Sequence, residues 1–222
     1  MKQLSLISLL IITQLFVFGQ DRKNDISILA GLSVPAGAHS KAYAKPGYYN
    51  YVSYKRALNT KWKLTAAAFT ANMRMNESAF LDDYNAASTD IAEGISAKSW
   101  KVTSLNLGAE WKFYQELYVI LGVNLYNAKY PELTINRTNA TSIKMTASTG
   151  SGVGASGGLG YAIKLGKNDR WEIPVNITAH VGSIDYGDYT YSEQTAGTSA
   201  VAPASSMGYL SLNIGAGLTF KF

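Results

Sequence analysis

The chain of 222 residues is 47% hydrophobic and only 16% charged, with 20 glycines, 15 tyrosines, 5 prolines and no cysteine. The charged share falls below the roughly 25% of soluble domains, and the lack of cysteine excludes a disulfide scaffold in an exported chain. A formal charge of +5 raises nucleic acid as a partner, but no basic cluster or basic helix accompanies it and an export signal opens the chain, so no nucleic acid is expected.

Residues 1–19 read as a signal peptide. Lys2 supplies the positive start, and residues 4–18 are apolar apart from Ser5, Ser8, Thr13 and Gln14. Val17-Phe18-Gly19 then presents the pattern a signal peptidase reads, which puts the cut before Gln20. The apolar run is shorter than the roughly 20 residues a spanning helix needs. Residues 20–222 are therefore expected to form one mature domain.

Period-two alternation, the mark of strands with two unlike faces, dominates the mature region. Ile26, Ile28, Ala30, Leu32 and Val34 make the first apolar face. Two less regular strands are expected at 48–58 and 62–75, where the adjacent Lys55 and Arg56 force one of that pair outward. Next, Leu105, Leu107, Ala109, Trp111 and Phe113 alternate with polar or small residues, and Leu117, Val119, Leu121, Val123 and Leu125 alternate with Tyr118, Ile120, Gly122, Asn124 and Tyr126. Two further strands run through Val153–Ile163 and Trp171–Val181. The last sets Leu210, Leu212, Ile214, Ala216, Leu218, Phe220 and Phe222 against Tyr209, Ser211, Asn213, Gly215, Gly217, Thr219 and Lys221.

The links between these strands alternate in length: short at 59–61, 114–116 and 166–170, long at 35–47, 76–99, 130–152 and 185–206. The pattern predicts an all-β fold: an eight-stranded antiparallel transmembrane β-barrel, an up-and-down meander with short periplasmic turns and long extracellular loops. The strands reach the roughly 9–11 residues needed to cross a bilayer, and the sheet must close because backbone groups in lipid have to be paired. The face opposite the apolar one is Gly, Ser, Asn and Thr with isolated charges. That suits a crowded lumen better than the charged outer side of a soluble sandwich.

Aromatic residues cluster at both ends of the predicted strands. Trp62, Trp111, Phe113, Tyr114, Tyr118, Trp171, Phe220 and Phe222 mark the short-turn end, and Tyr48, Tyr49, Tyr51, Trp100, Tyr126, Tyr130 and Tyr186 the long-loop end. Two girdles are expected. The excess positive charge gathers at the short-turn end, as a basic rim beside anionic headgroups. The long loops are nearer neutral or acidic, and 84–89 and 197–203 read as small and flexible.

The signal peptide, the eight amphipathic strands and the closing Gly215-Ala216-Gly217-Leu218-Thr219-Phe220-Lys221-Phe222 together resemble the small outer-membrane β-barrel ("porin family") proteins of Gram-negative bacteria. The resemblance implies residence in the bacterial outer membrane, contact with outer-membrane lipids, and insertion by the barrel-assembly machinery. Leu218, Phe220 and Phe222 would carry the C-terminal assembly signal. A peptidoglycan-binding module after Phe222 is not expected.

The search for chemistry starts in the lumen. Glu110, Glu172, Lys164 and one of Lys55 and Arg56 are expected to point inward near its lower half and to pair, since isolated buried charges are costly. Of the two histidines, His39 falls in a loop and His180 on the inward face. Ser183 lies on the opposite face from His180, and Glu172 is eight residues away, so no Ser-His-carboxylate arrangement is legible. Asp82-Asp83 and Asp185 with Asp188 lack calcium-loop spacing. Gly150-Ser151-Gly152-Val153-Gly154 lacks the lysine and helix of a phosphate loop. No catalytic residue, metal or cofactor is expected. An eight-stranded lumen is filled by side chains, with Tyr118, Tyr126 and Tyr209 as the plugs. The expected role is non-enzymatic, structural or by interaction, with a protein partner at the loops or the lipid-facing wall. A narrow channel for small or apolar solutes is the alternative, and an outer-membrane lipid-modifying enzyme the next.

Overall fold

The computed structural model describes residues 23–37, 42–138, 141–167, 169–193, 199–202 and 204–222. The predicted signal peptide and His39 lie outside these residues. In chain order the strands are β1 (Asn24–Pro35), β2 (Ala44–Ala57), β3 (Trp62–Met75), β4 (Ala92–Ala97), β5 (Trp100–Tyr114), β6 (Leu117–Lys129) and β7 (Leu133–Arg137). They continue with β8 (Ser142–Met145), β9 (Thr149–Leu165), β10 (Trp171–Tyr186), β11 (Tyr189–Glu193), β12 (Ser199–Ala202) and β13 (Ser205–Lys221). One helix, α1 (Glu77–Ala87), separates β3 from β4.

The expected strand count is corrected. Thirteen strands, not eight, occur among the described residues, in two antiparallel sheets. One sheet closes on itself in the order β1-β13-β10-β9-β6-β5-β3-β2, and the other is five-stranded, in the order β12-β11-β8-β7-β4. The five additional strands and α1 occupy three links that read as loops. The expected flexibility of 84–89 gives way to the last turn of α1. Each added strand has 4 to 6 residues, too few to cross a bilayer. Leu133 with Ile135, Ile143 with Met145 and Tyr189 with Tyr191 still alternate at period two, so these segments pair with one another.

Closure joins the first strand to the last, from Asp25 opposite Lys221 to Pro35 opposite Ser211. The turns carry their own chemistry. Asn59 Oδ1 accepts the backbone N–H of Lys61 and of Trp62, both at 2.9 Å, which tightens the β2–β3 hairpin. Gly166 takes φ +75° after β9, a left-handed conformation glycine adopts without strain.

The ring is apolar outside and polar or aromatic inside. Ile28, Leu105, Leu107, Leu121, Val123, Leu159 and Ile177 stand exposed on the outer wall, a pattern that is wrong for water and right for lipid. Below this belt the ring of Trp62 stacks on Trp111 at 5.9 Å, and Trp171 meets Phe220 at 4.7 Å, giving a girdle at the short-turn end from which the expected Tyr118 is missing, because it turns into the lumen. The second girdle is corrected. Tyr48 does face outward, but Tyr49, Trp100, Tyr126 and Tyr186 are buried inside. The residues on the inward face at that end are drawn into a core that the second sheet completes.

Candidate functional site

Among the described residues, buried polar groups converge in the lumen, which divides into three levels. At the short-turn end lies a charged level. Lys55 Nζ meets Glu110 Oε2 at 2.5 Å, with both side chains under one-tenth exposed. Lys63 Nζ bridges Asp25 Oδ2 at 2.5 Å and Glu110 Oε1 at 3.8 Å. Lys221 pairs with Glu172. These bridges join β2 to β5, β3 to β1 and β13 to β10, so they tie strands together across the lumen floor. They border a cavity of about 170 Å³. Lys55 settles the choice left by its neighbour: it points inward and is buried, and Arg56 is exposed.

Of the expected lumen charges, Glu110 and Glu172 lie in this level, and Lys164 does not. It sits exposed near the end of β9, 3.0 Å from Glu116 and 3.6 Å from Asp169. Lys164 is directly opposite Glu172 in register, so the strand alternation is correct. The chain has reached the rim there, and the long side chain leans toward the turns. Asp25, Lys63 and Lys221 complete the cluster without having been singled out by the sequence, although each alternates with apolar neighbours as an inward residue should.

Glu116 joins this rim from the β5–β6 turn. Burial pushes its carboxyl up, but hydrogen bonds from Lys164 and Lys112 outweigh that and hold it below the ordinary glutamate range. A lowered carboxylate lends stability above its unfolded pKa and loses it as pH falls through the lowered value. Glu116→Gln should therefore flatten the acid side of the barrel's urea midpoint below about pH 4.5 and leave the dependence above pH 6 unchanged. Parallel acid-side curves for the two proteins would refute this.

The middle level is hydroxyls and amides. Asn106 Nδ2 donates to Asn124 Oδ1 and to Ser156 Oγ, both at 2.9 Å. Ser27 and Thr219 hydroxyls share a bond of 2.7 Å, and Tyr118 OH donates to Asn176 Oδ1. Among the described residues the amide of Asn213 and the hydroxyls of Ser33 and Thr65 have no protein partner, so this level is polar without being fully bonded within the chain.

The upper level is aromatic and sulfur-rich. Phe69 sits edge-on to His180 at 4.5 Å, and Tyr126 edge-on to Tyr209 at 5.1 Å. Trp100 Nε1 donates to Tyr186 OH at 2.9 Å. Met73, Met75, Val102 and Ile184 fill the remaining space, and the same buried cluster takes in Leu133 of β7, Met145 of β8 and Tyr189 of β11. The expected plugs Tyr118, Tyr126 and Tyr209 are all buried within the lumen. His180 Nδ1 has no hydrogen-bond partner. The serines opposite it in register, Ser156 and Ser211, are each bonded elsewhere. Ser183, on the outer wall, shares a bond with Ser206.

Beyond the ring the five-stranded sheet forms a head. The β4 edge is closed by α1: Asn85 accepts the N–H of Ala92 and donates to its carbonyl, and Glu77 accepts the N–H of Ala97. At the tip, Arg137 Nη1 contacts Glu193 at 3.1 Å and Asp90 at 3.3 Å, and Nε donates to Tyr84 OH.

A ring with this topology has counterparts among solved structures. A major outer membrane protein from Thermus thermophilus superposes with a TM-score of 0.52 at 11% identity, over 90% of this chain and 99% of its own. The fold is that of an outer-membrane β-barrel. OprG from Pseudomonas aeruginosa matches this barrel with a TM-score of 0.48 at 15% identity, over 90% of this chain and 96% of its own. Ail, the attachment invasion locus protein of Yersinia pestis, matches at 0.46 and 10%, over 89% and 99%. No protein-family model and no curated protein matches the chain. The barrel's setting is the bacterial outer membrane, because a closed sheet with an apolar outer belt satisfies every backbone group without water. Its outer wall contacts lipid there, and the strand that closes the ring carries Leu218 and Phe220 on that wall, with Phe222 stacked on Phe220 at 6.0 Å.

Proposed function

We propose that this chain is an integral outer-membrane protein that crosses the bilayer with the eight ring strands, carries out no catalysis, and acts through its head and outer wall. The observation that carries this reading is the shared core. Leu133, Met145 and Tyr189 of the head are buried with Phe69, Tyr126 and Tyr209 of the ring, so the head is a fixed extension of the barrel and the upper level of the lumen beneath it is filled. A rigid surface held above the membrane suits contact with other molecules, and a lumen filled at that level does not suit transport. Leu218, Phe220 and Phe222 serve, on this reading, as the assembly signal on the closing strand.

Planar-bilayer recording of the refolded barrel tests the reading. The expected result is a silent bilayer across a range of roughly 100 mV of either sign, a driving force of about 2.3 kcal/mol per charge. Reproducible single-channel steps would overturn it in favour of a narrow solute channel. A changed lipid A mass in cells overproducing the protein would overturn it in favour of a lipid-modifying enzyme.

A further inference from the structure

Four cations stand on one side of the outer wall, at the head end of four consecutive ring strands. Lys45 of β2 is directly opposite Arg74 of β3, and Lys101 of β5 is directly opposite Lys129 of β6. The two pairs are offset by one row: Lys101 and Lys129 share theirs with Asn72 of β3 and Tyr48 of β2, and Lys45 and Arg74 stand one row nearer the head. All four cations are exposed, and each strand's neighbouring residues, such as Ala44, Met73, Trp100 and Ala128, are buried inside. The cations therefore point away from the lumen. Among the described residues none of the four has an ion-pair partner. Like charges directly opposite each other destabilise a sheet. Two such pairs on neighbouring rows of adjoining strands are a cost that an external anion would relieve.

The rows beneath give the anion its surroundings. One step below the Lys101–Lys129 row toward the membrane, and two below Lys45–Arg74, Asn50, Thr70, Thr103 and Asn127 lie opposite one another across the same four strands. The next step is wholly apolar: Val52, Ala68, Leu105 and Leu125. Positive, hydrogen-bonding and apolar rows thus succeed one another from the head toward the bilayer centre. The opposite wall lacks this order. At the same end of β9, β10 and β13 it carries Ser151, Ser183, Ser206 and the acidic Asp185.

We propose that the β2-β3-β5-β6 wall binds the phosphorylated sugar headgroup of an outer-leaflet glycolipid. Lys45, Arg74, Lys101 and Lys129 take the phosphate oxygens as charge-assisted hydrogen bonds. The amide and hydroxyl row takes the sugar's polar groups, and the acyl chains lie along the apolar row below. The occupant is a lipid rather than a soluble anion because only a lipid matches all three rows at once. The site belongs to the outer-wall half of the function proposed above and rests on the outer-membrane setting.

The test uses the mature chain refolded in detergent and native mass spectrometry with purified bisphosphorylated lipid A, its dephosphorylated form, sodium phosphate and polyglutamate. The expected result is at least about tenfold tighter binding of the bisphosphorylated form. That preference should vanish in a variant carrying Lys45→Ser, Arg74→Ser, Lys101→Ser and Lys129→Ser. It should persist in Lys101→Arg with Lys129→Arg, and in Ser183→Ala with Ser206→Ala on the opposite wall. If the fourfold variant does not fold, Lys45→Ser with Arg74→Ser and Lys101→Ser with Lys129→Ser, made separately, should each lose part of the preference. Equal binding of the two lipid forms, or undiminished preference in the serine variants, overturns the proposal. So does full competition by phosphate alone, which would mean a free-anion site, or by polyglutamate, which would mean an acidic protein partner. A wild-type chain with no heat-sensitive gel shift in detergent would instead remove the membrane setting itself.

Discussion

Glu110→Gln is expected to lower the stability of the folded barrel by about 3–5 kcal/mol, because it strands the buried ammonium of Lys55. A pair this deeply buried adds little net stability over an apolar pair, since desolvation offsets most of the attraction. Losing one partner is different, for the remaining charge keeps its desolvation cost and loses its counterion. Lys63 does not substitute for the lost partner, being itself a cation held by Asp25. Tyr118, whose ring centre lies 5.3 Å from Lys55 Nζ, recovers only a small part. The double variant Lys55→Met with Glu110→Met should regain most of the loss, because it removes both charges. The urea midpoint of the unheated gel band in detergent measures all three. A single variant as stable as the double one would show that water reaches Lys55 freely.

Gly182→Ala should cost about 1–3 kcal/mol by overpacking. A methyl there would lie 2.6 Å from the carbonyl oxygen of Val153 and 2.7 Å from the Tyr126 ring. Gly182 is directly opposite Gly154, where a methyl would also meet Tyr126 at 2.7 Å. The ring thus lies against a paired glycine surface. Tyr126 is packed in turn against Phe69 and Tyr209, so it has little room to retreat. Gly157→Ala is the control. That position meets nothing closer than 3.7 Å, against Leu121 and the backbone of Ile120, and its midpoint should stay within about 0.5 kcal/mol of wild type. Equal losses at both glycines would point to strand propensity rather than contact with Tyr126.

The ring strands were legible because each holds one alternation over many residues, as Leu117 to Leu125 does. What failed did so at the ends of those strands. Trp100, Tyr126 and Tyr186 have the composition of an interfacial girdle, and only their parity with the inward Val102, Asn124 and Ile184 tells that they face the core. The head was missed for a related reason. Leu133 with Ile135 and Tyr189 with Tyr191 are alternations of two apolar residues, too short to stand out from a loop until their partners are known. Glu110 and Glu172 were readable as lumen carboxylates from parity alone. Their partners Lys55 and Lys221 come from other strands, and which lysine meets which acid depends on register and side-chain reach. Lys164 shows the limit of parity, since a residue on the inward face at the last turn of a ring is already outside it. The four outer-wall cations are each an isolated charge in the chain and form a group only when β2, β3, β5 and β6 lie side by side.

The shared core also dictates an order of events during biogenesis. With the head outside the cell, as the proposed function has it, Leu133, Met145 and Tyr189 lie on segments that must cross the membrane before the head can form, so the aromatic upper level of the lumen cannot be complete while those segments are in transit. The nascent barrel then holds its charged floor and its tyrosine plugs, and its upper level is closed afterwards by its own loops. The moment of closure is then set by the speed with which two short hairpins and the α1–β4 segment find one another.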